Sequence, residues 1–79
     1  MMIERRQWPR RRTLEAARIV FDEDRVECAV HNLSARGALL HVKTVAGIPD
    51  TFELHIDGVV HPAWVIWKDT GKLGVFWFD

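Results

Sequence analysis

The chain has one cysteine, Cys28, in 79 residues. A lone thiol cannot close an internal disulfide, and nothing resembles the ligand spacing of a structural zinc site, so a reducing, cytoplasmic setting is expected. Apolar runs are short. None approaches the roughly 20 residues that a membrane-spanning helix requires, and the first residues carry charge without the apolar segment of a secretory signal. Helical periodicity, internal repeats and low-complexity linkers are lacking too. No carboxylate pair announces hydrolysis, and no histidine–acid partnership is suggested for Ser34, so an enzyme is not expected.

A surplus of one charge is also absent, with 11 Lys+Arg against 11 Asp+Glu. The balance hides an uneven distribution. Residues 1–12 hold five Arg and one Glu, a charge of +4, while residues 13–79 carry −4. Generic duplex binders spread positive charge over a whole face, because affinity comes from neutralising many phosphates. Confinement to one segment points instead to a small, locally bound anion, and a nucleic-acid partner is not expected.

What is present is enough for one small domain, near the lower size limit for folding without staples. Hydrophobic residues make up 48% of the chain, and four Trp and four Phe supply much of the core volume. The basic segment is Glu4-Arg5-Arg6-Gln7-Trp8-Pro9-Arg10-Arg11-Arg12. Each arginine offers a planar, permanently charged fork of donors suited to phosphate or to the O6/N7 edge of guanine. Pro9 fixes its own φ and disfavours helix at Trp8, which predicts an extended arm over residues 1–12. The plainer reading of the same stretch is a solvated basic tail.

Period-two alternation runs through the remainder, the domain of residues 13–79. In residues 13–21, Ala17, Ile19 and Phe21 fall on one side and Glu15, Arg18 and Asp22 mostly on the other. After the polar turn Asp22-Glu23-Asp24, Val26, Cys28 and Val30 alternate with Glu27, Ala29 and His31. Asn32-Leu33-Ser34-Ala35-Arg36-Gly37 interrupts the pattern with turn chemistry, and Gly37 can take positive φ. Residues 38–42 resume a strand, and residues 45–50, with Gly47 and Pro49, read as a loop. Phe52, Leu54 and Ile56 then alternate with Glu53, His55 and Asp57, and Asp57-Gly58 before Val59-Val60 predicts a type I′ hairpin. The next strand runs to about Trp67, Asp69-Thr70-Gly71-Lys72 turns the chain, and residues 73–78 close it. Six short strands with little or no helix predict an all-β barrel or sandwich.

The last two strands are apolar on both faces. Alternation sets Trp64 and Ile66 opposite Ala63, Val65 and Trp67, and sets Phe76 and Phe78 opposite Val75 and Trp77. One face fills the interior; the other is covered or forms an exposed patch of the kind that marks interfaces. On this reading Trp67 belongs to the core or rim rather than to a ligand platform. Cys28 lies on the apolar side with Val26 and Val30, as a buried, inert thiol. His31, His41, His55 and His61 stand at no ligand-like spacing and read as surface or rim positions; no metal is expected.

Arg6-Gln7-Trp8-Pro9-Arg10, preceded by Arg5, has the pattern RxxxR. After 21 intervening residues, Asn32-Leu33-Ser34-Ala35-Arg36-Gly37 has the pattern [D/N]xSxxG. In this order, ahead of a small β domain, the sequence resembles the PilZ domain family, which binds the bacterial second messenger cyclic di-GMP. Leu73-Gly74-Val75-Phe76 also looks like the family's last strand, so the likeness covers nearly the whole chain. It implies a six-stranded antiparallel β-barrel with an extended N-terminal arm, in a bacterial, cytoplasmic signalling protein. It further implies that Arg6 and Arg10 contact phosphate and guanine, with Arg5 stacking on a base or binding a second ligand copy. Asn32 would read a guanine edge, Ser34 donate to a phosphate oxygen, and Gly37 let the backbone approach closely. Arg11, Arg12 and Arg36 would add electrostatic support, and Trp8 either stacks on guanine or packs on the barrel. The ligand is the messenger itself; no cofactor is implied.

Two departures from the family stand out. Asn32 replaces the Asp of many members, and an amide offers guanine one acceptor and an unwanted donor, a weakening of about 1–3 kcal/mol. Many members also continue into a helix that lies against the barrel. The outward Trp and Phe of the last strands are expected to form instead a homodimer or protein-partner surface. Two other readings remain: a PilZ-like domain that binds no nucleotide and serves as a docking module, and a barrel that binds single-stranded nucleic acid through its arm and aromatics.

Overall fold

The computed structural model describes the backbone of residues 11–78 and the side chains of residues 15–78. Six strands follow one another: β1 (Arg11–Phe21), β2 (Asp24–Leu33), β3 (Gly37–His41), β4 (Thr51–Ile56), β5 (Val59–Asp69) and β6 (Lys72–Trp77). They close into a barrel in the order β1-β2-β3-β6-β5-β4, with every neighbouring pair antiparallel. There is no helix among the described residues. Closure leaves no sheet edge among the six strands, which suits a short chain with little spare surface to shield one.

Alternation along each strand supplies the interior. Ala17 and Ile19 of β1, Cys28 and Val30 of β2, and Leu40 of β3 point inward and are buried. So do Phe52, Leu54 and Ile56 of β4, Ala63 of β5, and Leu73, Val75 and Trp77 of β6. No polar or charged side chain is buried among the described residues, and each Leu, Ile or Val wholly removed from water contributes about 1.5–3 kcal/mol. Ile48, in the connection between β3 and β4, is buried with them. Lys68 holds that connection down, donating from Nζ to the Ile48 carbonyl at 2.7 Å and pairing with Asp50 at 3.4 Å.

The connection between β4 and β5 has the geometry its sequence predicts. Asp57 and Gly58 both take positive φ, 51° and 80°, and Asp22, in the turn between β1 and β2, takes 52°. The conformations of Asp57 and Gly58 define a type I′ turn, whose twist fits the flanking strands.

Three β-bulges break the regular ladder. One lies between Arg12 and Glu15 of β1, one between Val30 and Asn32 of β2, and one between Val65 and Trp67 of β5. A bulge adds one residue to its strand and so moves every later side chain to the opposite face relative to simple alternation. The consequence at β5 corrects the sequence reading of Trp67. Val65 pairs with Val75, Ile66 is the extra residue, and Trp67 pairs with Gly74. Trp67 therefore stands on the outer face, 45% exposed, and is not a core residue.

Candidate functional site

The turn between β2 and β3 is built by its own serine. The Ser34 N–H donates to the Gly37 carbonyl at 2.9 Å, and the Ser34 hydroxyl donates to the same oxygen at 3.2 Å. The second bond is long for a hydroxyl donor, whose common distance is about 2.7–2.8 Å. The hydroxyl can thus turn to a better acceptor while the N–H still holds the turn. The turn is fastened to the barrel by the Trp77 N–H, which donates to the Arg36 carbonyl at 2.8 Å, and by the pairing of Gly37 with Phe76.

Of the two reasons the sequence offers for Gly37, positive φ and close backbone approach, the first does not hold. Gly37 does not adopt positive φ; among the described glycines only Gly47, Gly58 and Gly71 do. Instead, a Cβ at Gly37 would stand 2.8 Å from the Val75 carbonyl oxygen, a backbone atom that cannot move aside without disturbing β6. The close approach is between β3 and its neighbour.

The bulges of β2 and β5 bring separate strands to one register. Asn32 pairs with Leu39, Leu39 with Gly74, and Gly74 with Trp67, a row across β2, β3, β6 and β5. Leu73 and Val75 are buried on either side of Gly74, so the row faces outward. Gly74 has no side chain, and the indole of Trp67 lies over it. A Cβ at Gly74 would fall within the indole itself. Along this row runs an open groove of about 490 Å³ whose lining includes Asn32, Ser34, Gly37, Leu39, Trp67 and Gly74, a volume within the range of small-molecule sites.

Of the residues the sequence singled out, the structure gathers Asn32, Ser34 and Gly37 in this groove. Arg5, Arg6 and Arg10 lie outside the described residues. The described chain begins beside the groove nonetheless: Arg11 pairs with Leu33, and Arg12 with Asn32, extending the same row onto β1. Arg36 is exposed in the turn. Trp67 and Gly74 were not assigned to a site by their sequence pattern, because the extra residue at Ile66 reverses the face on which alternation places Trp67.

Two imidazoles lie close to the β2 bulge. His31, the extra residue there, stacks on His41 with ring centroids 3.5 Å apart and planes 13° from parallel. Partial desolvation, then the neighbouring His31 and Lys72, hold His41 below the usual imidazole range. Cys28 sits inside the barrel, where burial, reinforced by Glu27, pushes its thiol up to about 12. A thiol so protonated is a poor nucleophile at neutral pH. Among the described residues no three His, Cys, Asp or Glu side chains are grouped to hold a metal ion, and no helix is long and apolar enough to cross a membrane.

A second outward surface lies further along β5 and β6. Trp64 pairs with Phe76 across the strands, and their rings stack at 5.6 Å. Phe78 meets both edge-on, 5.7 Å from Trp64 and 5.3 Å from Phe76. Trp64 is 39% exposed and Phe78 57%. The expected outward aromatic face is thus present as a cluster.

The described residues thus form a closed antiparallel barrel with an outward groove beside a serine–glycine turn. The sequence model of the PilZ domain matches residues 4–79, nearly the whole chain, and the protein belongs to the PilZ domain family. PilZ domains are in general cyclic di-GMP-binding adaptors rather than enzymes. No curated protein matches the chain at a significant level.

Proposed function

We propose that this domain is a cyclic di-GMP receptor that binds the messenger between its arginine segment and the Asn32–Ser34–Gly37 turn, then signals by changing shape at a protein partner. It performs no chemistry on the ligand. The observation that carries this reading is the pairing of Arg12 with Asn32, which starts the described chain beside the turn. Chain connectivity alone keeps the Arg10 Cα within about 7 Å of that of Arg12. Arg6 and Arg10 would clamp phosphate and guanine, with Arg5 stacking on a base, and Asn32 would accept from a guanine edge.

The route to a partner runs through hydrogen bonds between neighbouring strands. Gly37 pairs with Phe76, and Arg36 accepts from Trp77, so the turn is bonded to the strand that carries the aromatic cluster. That cluster supplies the apolar face that a protein partner or second copy would cover. It also favours the alternative reading, a docking module without a nucleotide ligand.

Calorimetric titration with cyclic di-GMP, GTP and a short oligonucleotide at physiological salt separates these readings. The receptor reading expects heat with the cyclic dinucleotide alone. Silence with that ligand leaves the docking module, and binding of the oligonucleotide only would make the barrel a nucleic-acid binder.

A further inference from the structure

Two imidazoles stand beside the groove without lining it. His31 is the extra residue of the β2 bulge, and Asn32 follows it in the chain. Its ring lies on that of His41, with centroids 3.5 Å apart and planes 13° from parallel. The cross-strand partner of His41 is Ala29, whose small side chain leaves room beside the ring. The contact is at van der Waals separation. It pins the extra residue, and through it the register in which Asn32 pairs with Leu39. Two neutral imidazoles tolerate that closeness. Two imidazolium ions do not, because like charges so near repel strongly even at a protein surface. Lys72 of β6, paired across from His41, adds another cation, with Asp69 of β5 beyond it. On the other side, Arg12 and Glu15 of β1 bracket the stretch opposite His31. Glu27, further along β2, is engaged by Arg18 at 3.1 Å, and Lys43 is exposed just past β3. Among the described side chains neither ring has a carboxylate partner. Desolvation, His31 and Lys72 hold His41 below its ordinary 6.5. A separated ring therefore takes up its proton more readily, so the stack is fully favoured above about pH 6.5 and is lost as pH falls below it.

We propose that the stacked His31–His41 pair is an acid-sensitive latch on the β2 bulge: neutral, it holds Asn32 in the groove row, and protonation parts the rings and releases Asn32 from that row. Its bearing on the ligand rests on reading the groove as a nucleotide site; the latch itself does not. A bulge re-aims the side chains around it, and here the residue that makes the bulge also supplies one ring of the pair. Positive charge gained beside the groove would by itself draw an anion in. Release of Asn32 works against binding, and the latch requires this second effect to prevail. The remaining histidines stand elsewhere: His55 bonds to Glu53, and His61 stacks on Trp77.

The test begins without ligand, with amide and imidazole correlation spectra of the full chain from about pH 8 to about pH 5. The His41 ring should titrate below 6.5, and the Asn32 amide should shift with the same midpoint. His41→Phe keeps a ring against His31 but carries no proton, and a charged His31 still rests well on an aromatic face. In that variant the acid shift at Asn32 should shrink several-fold. Calorimetry with cyclic di-GMP should then show the wild type binding roughly threefold to tenfold more weakly at about pH 5.5 than at about pH 7.5. His41→Phe should change by less than about twofold. An Asn32 amide that ignores the histidine titration, or that shifts equally in His41→Phe, overturns the latch, as does tighter binding at the lower pH. Should His41→Phe melt far below the wild type, His31→Phe supplies the same comparison from the other ring. No heat from the wild type at either pH overturns the receptor reading alone, and the ligand-free titration still decides the latch.

Discussion

Trp64 and Trp67 stand on one strand and one face of the barrel, yet they make different surfaces. What separates them is the residue opposite on β6. Trp64 meets Phe76, so its ring is propped in a three-ring cluster with Phe78. Trp67 meets Gly74, so its ring lies down and floors a groove shared with Asn32 and Ser34. Cross-strand pairs are the unit in which a sheet is stabilised; here they also decide whether an exposed indole presents an apolar cluster or a plane beside polar groups.

The largest expected effect separates binding from folding. Arg6→Ala or Arg10→Ala should weaken cyclic di-GMP binding by roughly a hundredfold, as expected when a charge-assisted, bidentate contact is lost. The thermal melt should barely move, since substitutions away from packed structure change stability by about 0.5 kcal/mol or less. A collapsed melt would make those arginines structural instead.

Gly37→Val should disturb both surfaces together. Its Cβ would press on the Val75 carbonyl from 2.8 Å, and forcing a side chain into filled space costs about 1–3 kcal/mol. A domain of this size then melts roughly 5–20 °C lower. The turn would be pushed from β6, so ligand binding should fail as well. An unaltered melting curve would show that the contact between β3 and β6 is looser than this account requires.

A reciprocal pair of substitutions sharpens the contrast. Asn32→Ala should weaken ligand binding by about 1–2 kcal/mol, the scale of one lost hydrogen bond to a buried edge, while leaving self-association or partner capture as in the wild type. Phe78→Ser should do the reverse. Equal effects of both substitutions on ligand affinity would mean that groove and cluster are a single surface.

The extent to which these regions were legible in the sequence follows the bulges. Ala17 with Ile19, and Phe52 with Leu54 and Ile56, alternate without interruption, and their inward faces were assigned from spacing alone. Asp57-Gly58 carried its turn type in its composition. The Asn32-x-Ser34-x-x-Gly37 turn was legible as chemistry, but the neighbour its glycine makes room for was not. A carbonyl from β6 approaches there, and β6 is distant in sequence. Trp67 was assigned to the wrong face because a bulge is a property of two paired strands. Nothing in Val65-Ile66-Trp67 itself announces that Trp67 will pair with Gly74.

The smallest effect at neutral pH belongs to the interior, which neither surface uses. Cys28 is held protonated to about 12 in the folded barrel, against 9.0 for an ordinary thiol. The folded chain therefore binds more protons than the unfolded chain between those values, and stability should fall as pH rises from about 9 to about 12. Below about pH 9 its contribution is fully present. Cys28→Ala should flatten that alkaline slope in melts recorded across the range, without altering ligand binding at pH 7; a slope that persists unchanged would assign it to other groups.

The central claim is that cyclic di-GMP occupies the groove between the arginine segment and the Ser34 turn. An amide and indole correlation spectrum recorded through a titration tests it most directly. Saturable shifts are expected at Asn32, Ser34, Gly37 and the Trp67 indole N–H, with Phe76 following through its pairing to Gly37. Shifts confined to Trp64 and Phe78, or a spectrum unmoved by excess ligand, would contradict it.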